Sequence, residues 1–306
     1  MSGTAALPGE AECIVRERLT PVVWDLCHVH RLAAAARAAA LEAPLRVHLE
    51  VDSGMSRQGA APGPELEALL RVIGSEPCLA LDGVLTHFAS TEVAGSPQTT
   101  AQQHCFEGAI AQVAAAGLRP RWVHVGNSSY IDGGTAGIAW LRGLAAQPGA
   151  RAMVRSGLAL YGYLLPIEGL CRPLARPSVR PVMTWKTRVI GLREVPAGAL
   201  VGYNGAFIAG RPMRLALLPV GYADGLRREL SSTNARPGGW VMVHGEPAPI
   251  VGRVSMNLTT VDVSAIPGVA EGDVTVLLGD GVSAEDHARI AATIPYEILC
   301  AVRTTD

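Results

Sequence analysis

Leu45 to Asp52 reads LRVHLEVD and runs straight into Ser53-Gly54-Met55-Ser56-Arg57. The eight residues are apolar and β-branched enough to predict a buried strand. The polar, glycine-bearing loop behind them is the kind of segment that carries function when a strand positions it. The same pattern recurs on both sides. Leu19 to Asp25 (LTPVVWD) predicts a strand, and the alanine-rich stretch Leu26 to Ala43, with leucines at helical spacing, a helix. Pro64 to Ile73 predicts a helix with proline in its first turn. Leu81 to Phe88 predicts a strand, and Thr99 to Ala116 a long helix stopped by Gly117. Trp122 to Val125 and Met153 to Tyr163 read as further strands, whereas Gly133 to Ala150 lacks clear periodicity and is expected to be an insertion or long loop. Strand–helix alternation of this kind signals parallel β/α units. Polar or glycine-rich residues follow each strand: Asp52-Ser-Gly-Met, His87-Phe-Ala-Ser, Gly126-Asn-Ser-Ser and Arg155-Ser-Gly. A β/α barrel builds its site at the C-terminal strand ends. A doubly wound sheet follows a similar rule, so this pattern leaves both folds open.

From about Arg176 the chain changes character. Short apolar runs punctuated by Gly and Pro (VMTWKTRVIGLREV, RLALLPVGYA, WVMVHG, PAPIVGRVSMNLTTVDV, GDVTVLL) predict an antiparallel β domain. One closing helix is expected, with Ser283 as its N-cap and Asp286 three residues on. The expected organisation is an α/β domain over residues 1–175 and a mainly antiparallel β domain over 176–306.

Bulk properties narrow the function class. The 306 residues carry a formal charge of −1 with no basic block, which argues against nucleic-acid binding. About half of the chain is apolar, enough for a sizeable core. No run approaches the roughly 18 apolar residues of a membrane span, and the first ten residues do not read as a signal peptide. The six cysteines form neither a C-x-x-C pair nor a zinc spacing, so buried thiols and a cytoplasmic protein are expected, with no metal site. Lys186 is the single lysine; every other basic residue is arginine.

Several segments, in one order, resemble the alanine racemase family over nearly the whole chain. Val47-His-Leu-Glu-Val-Asp-Ser-Gly-Met-Ser-Arg-Gln-Gly is similar to the family's D-[ST]-G-M-x-R-x-G strand and loop. Thr86-His-Phe-Ala, His124-Val-Gly-Asn-Ser and Arg155-Ser-Gly-Leu-Ala-Leu-Tyr-Gly resemble its next three motifs. Gly221-Tyr-Ala-Asp-Gly, Val251-Gly-Arg-Val-Ser-Met-Asn and Ile294-Pro-Tyr-Glu resemble those of its β domain and tail. The resemblance implies a (β/α)8-type barrel followed by a mainly antiparallel β domain, in a head-to-tail homodimer with shared active sites. It implies interconversion of L- and D-alanine on pyridoxal 5'-phosphate, supplying D-alanine for peptidoglycan.

The resemblance also assigns residues. Racemisation removes a proton from one face of Cα and delivers one to the other, so it needs acid–base groups on both faces and a cofactor ring that takes up the carbanion. Tyr222 is expected to be the group facing L-alanine. An ordinary tyrosine ionises near pH ~10, so it needs a cation nearby. Arg155 is expected to face the pyridine nitrogen; a guanidinium gives up no proton, which weakens the ring as an electron sink. Asn127, Ser128, Gly157, Leu158 and Tyr296 are expected around the phosphate, through a hydroxyl and backbone N–H groups. Arg57 and the backbone of Met256 are expected at the substrate carboxylate, and His87 behind Arg155.

Three positions depart from the family pattern. Glu50 stands where many members carry a carbamate-modified lysine, and is expected to hold Arg57 less firmly. Asn257 stands where aspartate is common. The segment that carries the family's cofactor lysine, V-x-K-A-N-A-Y-G-H-G, is absent, and Lys186 lies in a predicted β-domain strand instead. A β/α barrel takes about 250 residues, so the expectation is a barrel lacking its first strands and a chain inactive alone. Two other readings stand beside it: a non-catalytic module that binds pyridoxal phosphate or a related ligand, and a racemase of another small amino acid such as serine. Tyr296, bulky beside the substrate methyl, favours alanine.

Overall fold

The computed structural model describes residues 7–169 and 179–303. They form two compact units. One takes the described residues up to Leu160 together with those from Leu164 to Val179; the other takes Tyr161–Tyr163 and the residues from Arg180 onward. The boundary expected at 175/176 lies outside the described residues.

The first unit runs α1 (Glu10–Arg16), β1 (Val22–Val23), α2 (Leu26–Ala38), β2 (Leu45–Glu50), α3 (Pro64–Ser75), β3 (Leu79–Leu85), α4 (Pro97–Ala115), β4 (Trp122–Val125), α5 (Ser128–Asp132), α6 (Thr135–Ala146), β5 (Arg151–Val154). Its five strands pair in parallel, in sequence order β1-β2-β3-β4-β5. A doubly wound sheet reverses its strand order at a switch point. This sheet does not, so it is the wall of a β/α barrel. Local chemistry starts the helices where they start. Asp25 accepts from the His28 N–H at 2.9 Å to cap α2, and Ser96 caps α4 one residue before Pro97. Leu32, Leu49, Leu66, Leu69, Phe106, Ile110 and Val123 are buried between sheet and helices.

Two expectations need correction. Residues 133–150 are not a long loop: Thr135–Ala146 is helical, with Leu141, Leu144 and Ala145 buried at helical spacing. Gly137, Gly143 and the scattered alanines dilute the period in the sequence. The strand expected over 153–163 ends at Val154, and Leu158–Tyr161 is a 3-10 turn instead.

The second unit is antiparallel: β6 (Trp185–Arg188), β7 (Gly191–Val195), β8 (Leu200–Val201), β9 (Phe207–Ile208), β10 (Met213–Leu218), β11 (Trp240–Val243), β12 (Glu246–Pro249), β13 (Thr259–Asp262), β14 (Val274–Leu278), then α7 (Ala284–Ala291) and α8 (Pro295–Ala301). The sheets are β13-β10-β7, β12-β11-β14-β6 and the hairpin β8-β9. Ala216, Leu218, Val241, Val243, Val261 and Leu277 form its core. Two helices close the unit where one was expected; seven-residue α8 is too short to display a period. No helix of the described residues is long and apolar enough to cross a membrane.

Candidate active site

In the first unit the polar residues collect at the C-terminal ends of the strands. Arg155 follows β5 directly. One Nη2 hydrogen goes to the Thr86 carbonyl at 2.9 Å and the other meets His87 Nδ1 at 3.1 Å, while Nη1 meets His124 Nδ1 at 3.0 Å. A guanidinium has five N–H donors in a fixed plane. Three are engaged here. The Nε–H and one Nη1 hydrogen meet no acceptor among the described residues. Burial lowers the Arg155 pKa, against the pull of Glu50 and with the push of Arg57. The same burial, with Arg155 and Arg57 nearby, lowers His87. His124 is 3% exposed, and burial first, then Arg155 and His48, push it down to about 2. Both histidines are therefore neutral acceptors toward Arg155, as a donor-only partner requires.

The cradle predicted around Ser128 has a specific geometry. Ser128 is 1% exposed, and its Oγ accepts from the N–H groups of Gly157 (3.2 Å) and Ala159 (3.1 Å). With both lone pairs used, the hydroxyl keeps its own hydrogen for another acceptor. Between those two residues the Leu158 N–H meets no acceptor among the described residues. A Cβ built on Gly157 would meet no atom within 4 Å. No protein contact demands glycine there, and the open space at Gly157 suits a group from outside the chain. The Asn127 side chain is engaged within the chain. Its Oδ1 accepts from the Tyr130 N–H and the Thr91 hydroxyl, both at 3.0 Å, and its amide donates to Glu92 at 3.1 Å. Its side chain is occupied in placing Ser128 at the start of α5.

Arg57 is exposed on the loop after β2. Asp52 organises that loop by accepting from the N–H groups of Gly54, Met55 and Ser56 at 2.9, 2.9 and 3.1 Å. Glu50 is 3% exposed and accepts from Gln58 at 2.5 Å. Among the described residues no ion pair joins it to Arg57. Burial raises the Glu50 carboxyl pKa, opposed by Gln58, Arg155 and Arg57.

The second unit brings Tyr222 and Met256 together. The Tyr222 N–H donates to the Ser255 carbonyl at 3.0 Å and the Ala223 N–H to the Met256 carbonyl at 2.9 Å. Tyr222 is 45% exposed and Met256 58%. A tyrosine that merely packed beside its turn would be covered; this one presents its phenol at the surface of the unit. Tyr296 is half-buried in the first turn of α8. Lys186 is an exposed residue of β6.

Residues 1–165 match the profile described as alanine racemase, N-terminal domain, and residues 182–305 that of the alanine racemase C-terminal domain. The chain belongs to the alanine racemase family. It is 39% identical over 301 residues to the alanine racemase of Syntrophobacter fumaroxidans, covering 96% of this chain and 73% of that protein. The alanine racemase of Sorangium cellulosum is likewise 39% identical, at the same coverage. Among solved structures, alanine racemase from Streptomyces coelicolor superposes with a TM-score of 0.79 at 31% identity, over 97% of this chain and 74% of that one. Alanine racemase from Bartonella henselae, with covalently bound pyridoxal phosphate, gives a TM-score of 0.73 at 26% identity, over 99% and 76%.

Alanine racemases are amino-acid isomerases that use pyridoxal phosphate, and the donor set fits the non-covalent part of that cofactor. The Ser128 hydroxyl, the Leu158 N–H and the space beside Gly157 suit a phosphate; the unspent N–H groups of Arg155 suit an acceptor nitrogen. Lys186, the single lysine of the sequence, belongs to β6 of the second unit. Reasoning from sequence alone passed over His124, quoted within a motif but given no role, and over His48, Asp82 and Gln58. The available signal was the period-2 alternation, which turns His48 of β2 and His124 of β4 to the same face, across Gly83 of the strand between them.

Proposed function

We propose that this protein interconverts L- and D-alanine on pyridoxal phosphate. The observation that carries the reading is the fixing of Arg155 by Thr86, His87 and His124 with two N–H donors left over. A guanidinium there holds the ring nitrogen by hydrogen bonds without protonating it, which favours returning the proton to Cα over side reactions. The cofactor supplies stabilisation of the carbanion. Tyr222 holds the proton exchanged on one face. The exposed Arg57 and the Met256 backbone orient the substrate carboxylate, the former as a fixed fork. Tyr296 completes the phosphate site and limits the space beside the substrate methyl.

Tyr222 and Arg155 belong to different units, and we read the working form as a homodimer in which the Tyr222 loop of one copy serves the barrel of the other. The product is a precursor for peptidoglycan, made in the cytoplasm; the isolated spacing of the cysteines suits that compartment. Racemisation by these 306 residues further requires a lysine-bearing segment joined to them.

The test is α-deuterium incorporation and D-alanine formation from L-alanine in deuterated water with added pyridoxal phosphate. The expected result is no exchange by the 306 residues and exchange once the family's lysine segment is fused before them. Tyr222→Phe in the fused protein should then slow exchange from L-alanine by 100-fold or more, in line with the typical ~10²–10⁴ contribution of a general base. Equal exchange with and without the fused segment would overturn the lysine requirement. Exchange of serine at the rate of alanine would overturn the substrate.

A further inference from the structure

The contact of Arg155 with His124 does not end there. His124 Nε2 lies 2.8 Å from His48 Nδ1, and His48 Nε2 lies 3.5 Å from an Asp82 carboxylate oxygen. The four side chains form a line from the end of β5 through β4 and β2 to β3. Proton directions along it follow from the ends. Arginine only donates, so His124 Nδ1 is a bare acceptor. A neutral His124 then carries its hydrogen on Nε2 and donates to His48 Nδ1. That leaves the His48 hydrogen on Nε2, the atom facing Asp82. The carboxylate, an acceptor only, demands the same arrangement from the other end.

The backbone is shaped for this line. Val47 pairs with Leu81 but His48 pairs with Gly83, so Asp82 is an extra residue on β3, unmatched across the sheet. Such a bulge re-aims a side chain, and here it puts Asp82 beside the His48 ring. Gly83 lies beneath that ring: a Cβ on it would stand 2.8 Å from three ring atoms. The strand irregularity and the glycine have no other evident service.

We infer that His48 and Asp82 are positioning residues that act through His124 to hold the Arg155 guanidinium in its plane. The inference rests on the reading of Arg155 as partner of the cofactor's ring nitrogen, but the contacts from Arg155 through His124 to His48 are testable without cofactor. Burial keeps His48 as well as His124 neutral near pH 7, so each ring is confined to one tautomer.

The experiment is long-range proton–nitrogen correlation spectroscopy on histidine-labelled 306-residue protein, paired with titration of pyridoxal phosphate. Both His124 and His48 should show a protonated Nε2 and a bare Nδ1. His48→Leu removes the acceptor, so His124 should populate both tautomers and the dissociation constant for pyridoxal phosphate should rise about tenfold. His48→Gln, whose amide oxygen accepts from His124 while its N–H donates to Asp82, should restore a single His124 tautomer and bring affinity within about twofold of the parent. A merely structural role would not separate the Leu from the Gln variant. The inference fails if His124 carries its proton on Nδ1, or if the two variants give the same His124 spectrum. Absence of pyridoxal phosphate binding by the parent, with the tautomers as stated, would sink the cofactor reading and leave the positioning of Arg155 by His124 and His48 standing.

Discussion

At the scale of single residues, two glycines in the candidate site do opposite things. Gly157 touches nothing where its Cβ would be. Gly157→Val should therefore leave the thermal midpoint within about 2 °C, as surface substitutions do within roughly ±0.5 kcal/mol. The same change should weaken pyridoxal phosphate binding tenfold or more, because the added side chain occupies the open space at Gly157, next to the Leu158 N–H. Calorimetric titration and a melting curve on one sample decide it; a stability loss with unchanged binding would make Gly157 a folding residue. Gly221 is the reverse case. A Cβ there would lie 2.2 Å from the Ser255 carbonyl and 2.4 Å from that of Met256, the two acceptors that hold the Tyr222 loop. Gly221→Ala should cost about 1–3 kcal/mol, the usual range for overpacking, read from urea unfolding. It should also loosen Tyr222, so exchange by the lysine-completed protein should fall with it.

At the scale of elements, legibility followed the strength of the local signal. α7 shows this well. The Ser283–Asp286 spacing reads as a capping box, and the Ser283 hydroxyl accepts from the Asp286 N–H at 3.1 Å while Asp286 accepts from the Ser283 N–H at 3.0 Å. Ser283→Ala should cost about 1 kcal/mol, and Ser283→Asp, which keeps an acceptor, should recover most of it in the same urea assay. Where the code is local, as here or at Asp25 and Ser96, sequence reading finds the element. Thr135–Ala146 escaped because its burial is set by tertiary packing of Leu141 and Leu144 rather than by a clean apolar period. The parallel sheet could be read from β/α alternation, whereas its being a barrel wall came only from the family resemblance, because strand order is a long-range property. The candidate site divides in the same way. Tyr222, Arg155 and Ser128 stand in motifs and were nameable. The His48–His124–Asp82 line depends on a register shift between two strands, and a one-residue bulge leaves no mark on composition or spacing.

At the scale of the whole molecule, buried histidines contribute to the acid response of both units. His124 in the first unit is driven to about 2 and His287 in the second, 1% exposed in α7, to about 4, each chiefly by burial. A depressed histidine pKa means that the unfolded chain takes up a proton below about pH 6.5 that the folded chain refuses. More protons on the unfolded state make stability rise with pH. Stability is therefore full above pH 6.5 and is lost as pH falls, by up to about 1.4 kcal/mol per pH unit for each excluded proton. For His287 the loss runs down to about pH 4; for His124 it continues toward pH 2. Glu50 works the other way, since its raised carboxyl pKa favours the folded state as the group protonates below neutrality. It offsets part of the first unit's loss. Urea unfolding at pH 7, 6 and 5 should show a falling midpoint. His287→Asn, neutral throughout that range, should flatten the dependence of the second unit while leaving that of the first unchanged, with Trp185 and Trp240 fluorescence reporting the second unit and Trp24, Trp122 and Trp140 the first. Equal slopes in parent and variant would mean that His287 is protonated in the folded protein, and that its burial is compensated by a partner inside the core.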